Sequence, residues 1–203
     1  MLAIGIFGTI ANGLLLYALI AHHAHDVKKR AINLPIINQN ILDLSCCLLL
    51  VISVCVQINS TYLTGALGYF LCTFFMNETA TNSALNGSII NLVALTLERY
   101  LKVVHPFWSK KHLKRWMAYA AMVFAWIGGI LSAAPDSFIA ARLEDGFCIA
   151  YLESPEANMI SASCHFLLFF LCPLLIFIYC YARIIVVIRR QSGRGTTWRV
   201  QLR

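Results

Sequence analysis

The chain has 203 residues, of which 60% are hydrophobic and only 12% are charged, and its mean hydropathy is +0.73. A soluble domain is usually nearer half apolar and a quarter charged, so this composition excludes an ordinary soluble protein. The net charge of +7 is divided among short loops, which argues against nucleic acid as a partner.

Five apolar blocks follow one another, each long enough to cross a hydrocarbon core of roughly 30 Å as a helix of about 20 residues. The first block runs straight into a polar loop with no small-residue cleavage site, so we interpret it as a span and not as a signal peptide. The sequence therefore predicts an all-α membrane protein, a helical transmembrane bundle with one domain over residues 1–203 and a basic tail at 189–203. The predicted spans are about 2–21, 34–58, 69–100, 116–134 and 159–188.

Basic residues occur in alternate connections between these spans. The loop 22–33, the loop after the third span and the tail after the fifth are basic. The loop 59–68 has no charge, and the segment 136–158 has five acidic residues against one arginine. Because cytoplasmic loops carry an excess of Lys and Arg, we expect the amino terminus outside and residue 203 in the cytoplasm. The basic loops would then face anionic lipid.

Polar residues inside the first two spans mark candidate sites, because a polar group at bilayer depth is expensive unless it has a partner. The first span contains Asn12 and the second contains Asp43. A lone carboxylate in mid-span is a functional-site hypothesis by default. For Asn38 and Asn91 we prefer ordinary hydrogen bonding between helices.

The third span is the most polar of the five. Glu78, Asn82 and Asn86 follow at i, i+4 and i+8 and should share one helix face, with Thr81 close beside. A helix with such a stripe cannot face lipid all round. We expect it at the centre of the bundle.

Eight cysteines are present, and six of them lie inside apolar blocks, where free Cys behaves as a small hydrophobe. Cys72 and Cys148 lie instead at outward-facing ends or loops. Since the extracellular side is oxidising, a disulfide between them is expected. No spacing of Cys or His forms a metal motif.

An acid and an arginine stand side by side in LTLERYLKVVHP, residues 95–106, at the end of the third span. ERY followed by VVHP resembles the cytoplasmic end of the third helix in rhodopsin-like (class A) G-protein-coupled receptors. Each other span carries residues similar to the family's markers, in the same order, and the Cys72–Cys148 pair is also the family's bridge. The markers are Asn12 in IANGLLL, Asp43 in INQNILDL, Trp126 and Pro135 in AWIGGILSAAP, and Pro173 and Tyr181 in CPLLIFIYCY.

This resemblance implies a role for the motif. In the family, the arginine is held by its neighbouring acid when inactive and meets the G protein when the helices spread. Carried over, Arg99 is the coupling residue, Glu98 is its restraint and Tyr100 completes the motif. Tyr181 would stabilise the active arrangement, and Pro106 would begin the contact of the second intracellular loop. An ion pair that only anchors a helix end is the structural alternative.

The resemblance also implies partners and a location. The partners are an extracellular ligand, a heterotrimeric G protein and the lipid bilayer of the plasma membrane, linked by a population shift between two packings. Asn12, Asp43 and Ser88 resemble the family's buried sodium-linked network, so a sodium ion at Asp43 and Ser88 is the one cofactor implied. The tail at 189–203 would begin the third intracellular loop.

The chain departs from the family pattern in three places. It stops at Arg203 after five spans, which we interpret as a fragment or partial gene model, with a natural five-span product as the alternative. Cys72 lies 27 residues before Arg99, two more than is usual in the family, and two extra residues rotate a helix by about 200°. A bulge could absorb them. Ala66 stands where the family's first outer loop has a tryptophan.

The ligand is only weakly indicated. Thr81 stands where amine receptors place an aspartate, which argues against a monoamine. Glu78 could still pair with a cationic ligand, and the acidic outer segment suits a basic peptide, so a peptide is favoured while lipid, nucleoside and light remain open. Glu78, Thr81 and Asn82 are the candidate pocket residues. Asn59 begins a sequon near an outer end.

The sequence gives little support to a transporter or an enzyme. A transporter would usually show repeats and broken helices in matched positions, and neither is visible. An enzyme would need a catalytic constellation, whereas His165 has no partner at i±4. A truncated, non-signalling receptor relative is the closer alternative.

Overall fold

The structure, a computed structural model, describes residues 1–22, 27–59, 62–150 and 154–201, with side chains described for 1–21, 34–59, 62–134, 141–149 and 154–191. Eight α-helices, two π-helical turns and one hairpin make up the described chain. The α-helices are α1 Leu2–His22, α2 Val27–Asn59, α3 Gly65–Leu71, α4 Thr79–Val104, α5 Pro106–His112, α6 Arg115–Ala140, α7 Pro155–Phe166 and α8 Cys172–Gln201; the π turns are Cys72–Met76 and Leu167–Leu171, and the hairpin strands are β1 Ala141–Glu144 and β2 Phe147–Ala150.

Helix α4 lies at the centre and packs against α2, α6 and α8, while α1 packs on the outer side of α2. Small residues permit the close approach of α4 and α6. A Cβ built on Gly129 would lie 2.4 Å from the Ser83 carbonyl oxygen and 2.7 Å from the Gly87 nitrogen. The central position expected for the third span is therefore observed.

Among the described residues, four helical segments are long and apolar enough to cross a membrane: Leu2–Ala21, Leu34–Asn59, Arg115–Ala134 and Pro155–Gln191. They correspond to the first, second, fourth and fifth predicted spans. Helix α4 is not among them. Its polar side chains, including Asn86 and Asn91, are buried against neighbouring helices and not exposed to lipid.

The third predicted span is interrupted, which differs from the single continuous helix expected. The π turn Cys72–Met76 is followed by Asn77 and by Glu78, whose φ of 54° lies in the left-handed region. Glu78 is thus the N-cap of α4 and does not lie on one uninterrupted helical face with Asn82 and Asn86. The π turn and Glu78 both lie between Cys72 and Thr81, and the π turn is a bulge of the kind that could absorb the two additional residues.

A β-hairpin covers the outer end of this third span. Its turn residues Asp145 and Gly146 both have positive φ, 50° and 82°, as a two-residue type I′ turn requires. The predicted disulfide is present: Cys72 and Cys148 are bonded, with their Cα atoms 5.4 Å apart. The Leu63 N–H also donates to the Gly146 carbonyl at 2.8 Å, so the hairpin is attached at two points.

Candidate functional site

The half-buried carboxylate of Asp43 lies between α2 and α4. Gln39 is one helical turn before it on the same face of α2, and its Nε2 donates to Asp43 Oδ1 at 3.0 Å and Oδ2 at 3.2 Å. The same nitrogen is 2.6 Å from Ser88 Oγ on α4. The Ser88 hydroxyl in turn donates to Asp43 Oδ1. Asp43 is therefore satisfied by an amide and a hydroxyl.

A line of hydrogen bonds continues from this cluster to α6. Asn91 Nδ2 donates to Gln39 Oε1 at 2.8 Å, and Asn38 Nδ2 donates to Asn91 Oδ1 at 3.1 Å. The Trp126 indole N–H donates to Asn38 Oδ1 at 3.0 Å. The hydrogen bonding expected of Asn38 and Asn91 is thus present. We call the connected set Asp43, Ser88, Gln39, Asn91, Asn38 and Trp126 the polar chain.

Two of the marker residues take part in packing outside the polar chain. Asn12 Nδ2 donates to the Gly8 carbonyl at 3.0 Å and approaches Cys47 Sγ at 4.0 Å. In the described structure Asn12 does not reach Asp43, so of the three predicted network residues only Asp43 and Ser88 are brought together. Pro173 is buried at the second position of α8, directly after a π turn. The side chain of Pro135 lies outside those described.

The cytoplasmic end of α4 carries the ERY residues in an unexpected pairing. Glu98 forms its ion pair with Lys102, one turn along the helix, and not with Arg99. The physical reason is helical geometry, since residues at i and i+4 face each other whereas neighbours at i and i+1 do not. Arg99 is exposed and makes no hydrogen bond or ion pair with the described part of the chain.

Aromatic contacts join the same end of α4 to α8. The Tyr100 and Tyr179 ring centroids are 6.0 Å apart, and the Tyr100 ring is 5.9 Å from His105. Tyr181, which was predicted from the resemblance, is 43% exposed. Pro106 is the first residue of α5, the short helix that follows α4.

The candidate ligand residues lie apart from a described cavity between α6 and α7. Thr81 is buried, with its Oγ1 3.3 Å from Ser53 Oγ, whereas Asn82 and Glu78 are half-buried. The cavity, of about 470 Å³, lies between α6 and α7 and is lined by residues that include Ser132, Ser161 and His165. The three predicted residues are not part of its lining.

Sequence reasoning missed three residues that the structure places in these contacts. Gln39 has a signal in the sequence, because its i, i+4 spacing from Asp43 puts both side chains on one face of the helix. The same spacing relates Lys102 to Glu98. Tyr179 has no comparable signal, because its contact with Tyr100 joins two distant helices.

Comparison with known proteins gives the family. The family described as 7 transmembrane receptor (rhodopsin family) matches residues 11–201. Mouse succinate receptor 1 is 30% identical over 138 residues, 66% of this chain and 43% of the relative. Rat galanin receptor type 1 is 27% identical over 185 residues, which cover 88% of this chain and 51% of the relative. Rat somatostatin receptor type 5 is 26% identical over 191 residues, which cover 92% of this chain and 50% of the relative.

The chain spans about half the length of the curated relatives that it matches. The match covers nearly the whole chain, and it confirms the predicted helical transmembrane bundle and a receptor family in place of an enzyme family. The disulfide and the central polar helix agree with that assignment. This chain belongs to the rhodopsin family of seven-transmembrane receptors.

Proposed function

We propose that this chain forms five helices of a G-protein-coupled receptor of the plasma membrane, with its amino terminus outside the cell. The receptor passes the binding of an extracellular ligand to a heterotrimeric G protein. The observation that carries the proposal is the position of Arg99, exposed and unpaired within the described residues, at the end of the central helix α4. A cationic side chain in that position is available to an incoming partner.

The packing of α4 supports coupling across the bilayer. The helix contacts α2, α6 and α8, so a repacking of any of these alters the position of its cytoplasmic end. A ligand changes such an equilibrium only by its difference in affinity for the two packings. The contact between Tyr100 and Tyr179 joins α4 to α8 one residue after Arg99.

The proposal predicts that Arg99→Ala abolishes ligand-stimulated nucleotide exchange on the G protein. The full-length protein encoded by the gene would be expressed in cells, and GTPγS binding to its membranes would be measured. The matched control is Arg115→Ala, which removes another exposed arginine at the start of α6 and should leave exchange unchanged. Surface expression of all three proteins is measured in parallel.

Exchange by Arg99→Ala equal to that of the parent protein would contradict the coupling role. The alternative of a truncated, non-signalling relative makes a different prediction. In that case the gene's own product folds poorly or only pairs with full-length receptors, and no G protein responds to the parent or to either arginine variant.

We infer that the ligand is a peptide with basic residues. Two acids, Glu144 and Asp145, are exposed at the tip of the hairpin. Beside them the rings of Tyr62 and Phe147 meet edge to face at 6.2 Å and are 66% and 61% exposed. Exposed aromatic rings beside acids suit a chain that carries both apolar and cationic side chains. Two relatives are named as receptors for galanin and somatostatin.

The peptide proposal predicts that removing the acids weakens activation. In Glu144→Gln with Asp145→Asn, the potency of lysine- and arginine-containing peptides should fall several-fold, and the loss should shrink at high salt. Asn tolerates positive φ, so the hairpin turn is kept. Glu156→Gln, an exposed acid on α7, is the control. Activation of the parent by succinate or a nucleotide, and by no peptide, would contradict the proposal.

Within the outer half we propose Glu78, Thr81 and Asn82 as residues that respond to this ligand. Glu78 supports this best, because its carboxylate stands at a break in the third span where it is half-buried. A cationic side chain of the peptide is its natural partner.

A further inference from the structure

Three oxygens converge on the side-chain nitrogen of Gln39. Both carboxylate oxygens of Asp43 lie 3.0 and 3.2 Å from Nε2, and Ser88 Oγ lies 2.6 Å from it. These same oxygens are the ones a cation at Asp43 and Ser88 would need, because hard cations are bound through oxygen. The amide nitrogen stands where such a cation would be placed. The residues in this arrangement do not fit the sodium ion that the resemblance implied.

The orientation of the Gln39 amide is determined by a series of hydrogen bonds that begins at Trp126. An indole N–H can only donate, so the Asn38 atom 3.0 Å from Trp126 Nε1 is an oxygen. Asn38 then presents its nitrogen to Asn91, and the Asn91 nitrogen faces Gln39 Oε1. Each amide in the polar chain is oriented by the one before it. The nitrogen of Gln39 is left facing Asp43 and Ser88.

The other end of the polar chain requires the same orientation. An ionised carboxylate is acceptor-only, so Asp43 needs donors from its neighbours. The two amide hydrogens of Gln39 satisfy Asp43 and Ser88, and the Ser88 hydroxyl hydrogen goes to Asp43. A reversed Gln39 amide would place its oxygen against the carboxylate and its nitrogen against the Asn91 nitrogen, which would keep only the Pro35 carbonyl, at 3.3 Å, as an acceptor. Both ends of the polar chain therefore require the same orientation of the Gln39 amide.

We propose that the Gln39 amide is the resident counter-group of the Asp43 carboxylate and takes the place of a bound cation. Trp126, Asn38 and Asn91 act as positioning residues that hold this amide with its nitrogen toward the acid. Sodium then has no site at Asp43 and Ser88 in this protein. The inference concerns the ground-state packing of α2, α4 and α6 and does not depend on G-protein coupling.

The test compares thermal unfolding in two salts. The purified protein in detergent is heated in NaCl and in N-methylglucamine chloride at equal ionic strength, and the midpoint is followed by tryptophan fluorescence. A ligand that binds only the folded state raises the midpoint in a saturating manner. We expect the same midpoint for the parent protein in both salts.

Removal of the amide should create a sodium response. Gln39→Leu takes away both donors at similar volume, so its midpoint should be lowered in N-methylglucamine chloride and raised by added NaCl until the effect saturates. Gln39→Glu exchanges the donors for a second carboxylate and should respond to sodium more strongly. The control is Gln57→Leu, an exposed glutamine on the same helix that donates to the Met76 carbonyl; it should behave as the parent does.

Two results would overturn the proposal. One is a saturating, sodium-specific rise in the midpoint of the parent protein, which would mean that the ion displaces the amide. The other is a folded Gln39→Leu or Gln39→Glu variant whose midpoint is the same in both salts.

Discussion

Glu98 has two cations within reach along one helix, Arg99 beside it and Lys102 one turn further. Helical geometry favours the pair at i and i+4, and the structure has Glu98 paired with Lys102. Lys102 is therefore a competitor for the acid that would otherwise restrain Arg99. The negative charge available to Arg99 therefore depends on a residue outside the ERY triplet.

This competition gives opposite predictions for its two members. Lys102→Gln should lower ligand-independent G-protein activation by about twofold, the size expected for one exposed helical pair, because Glu98 is then free to restrain Arg99. Glu98→Gln should raise it. Basal GTPγS binding to membranes of the full-length protein measures both.

Lys110→Gln, an exposed lysine on α5, is the control for the loss of a cytoplasmic charge. The proposed competition for Glu98 is wrong if basal GTPγS binding is the same for Lys102→Gln and Lys110→Gln. It is also wrong if Glu98→Gln leaves the basal level of the parent unchanged.

The close contact of α4 with α6 depends on the absence of side chains at Gly87 and Gly129. Gly129→Ala should lower the thermal unfolding midpoint, because the new methyl group would lie 2.4 Å from a backbone oxygen of α4, and backbone cannot move aside as a side chain can. Gly13→Ala on α1 is the matched control, since nothing lies within 4 Å of a Cβ built there. An alanine in a helix normally stabilises it by up to about 1 kcal/mol over glycine.

Gly13→Ala should accordingly be neutral or slightly stabilising. A Gly129→Ala midpoint equal to that of Gly13→Ala would show that α6 can shift to accommodate the methyl group. The close packing would then not be needed for stability.

The helices were predictable from the sequence, whereas their interruptions and contacts were less so. Apolar length fixes a span, so four predicted spans have clear counterparts among the described helices. The break at Asn77 and Glu78 was foreshadowed only by the distance between Cys72 and Arg99. No local signal predicts that a glutamate will adopt a positive φ, because that conformation is unfavourable for it and depends on tertiary contacts.

Some residues of the candidate site were also predictable from the sequence, and others were not. Asp43 and the disulfide followed from residue type and compartment, Ser88 followed from the family resemblance, and the structure brings both pairs together. The role of Gln39 could not be assigned from type alone, since an amide in a span is equally suited to helix packing. Its orientation depends on Trp126, which is 87 positions away in sequence.

Across the whole molecule, the distribution of charge predicts the orientation in the membrane. A tag placed before Met1, or in the hairpin turn at Asp145 and Gly146, should bind antibody on intact cells. A tag between α5 and α6, beside Lys114, should bind antibody only after permeabilisation, because basic loops stay in the cytoplasm. Binding in the opposite pattern would contradict both the orientation and the proposed contact of Arg99 with a G protein.

The disulfide joins the hairpin to the π turn above Asn77 and Glu78, and not to α4 itself. Along the chain, the disulfide is therefore connected to α4 through two residues that lie outside any helix, while β1 continues directly from α6, which packs on α4. From Glu78 to Arg99 the backbone rises about 30 Å as one continuous helix. Because the two-residue connection is not helical, a local change in the hairpin need not bend the helix that carries Arg99.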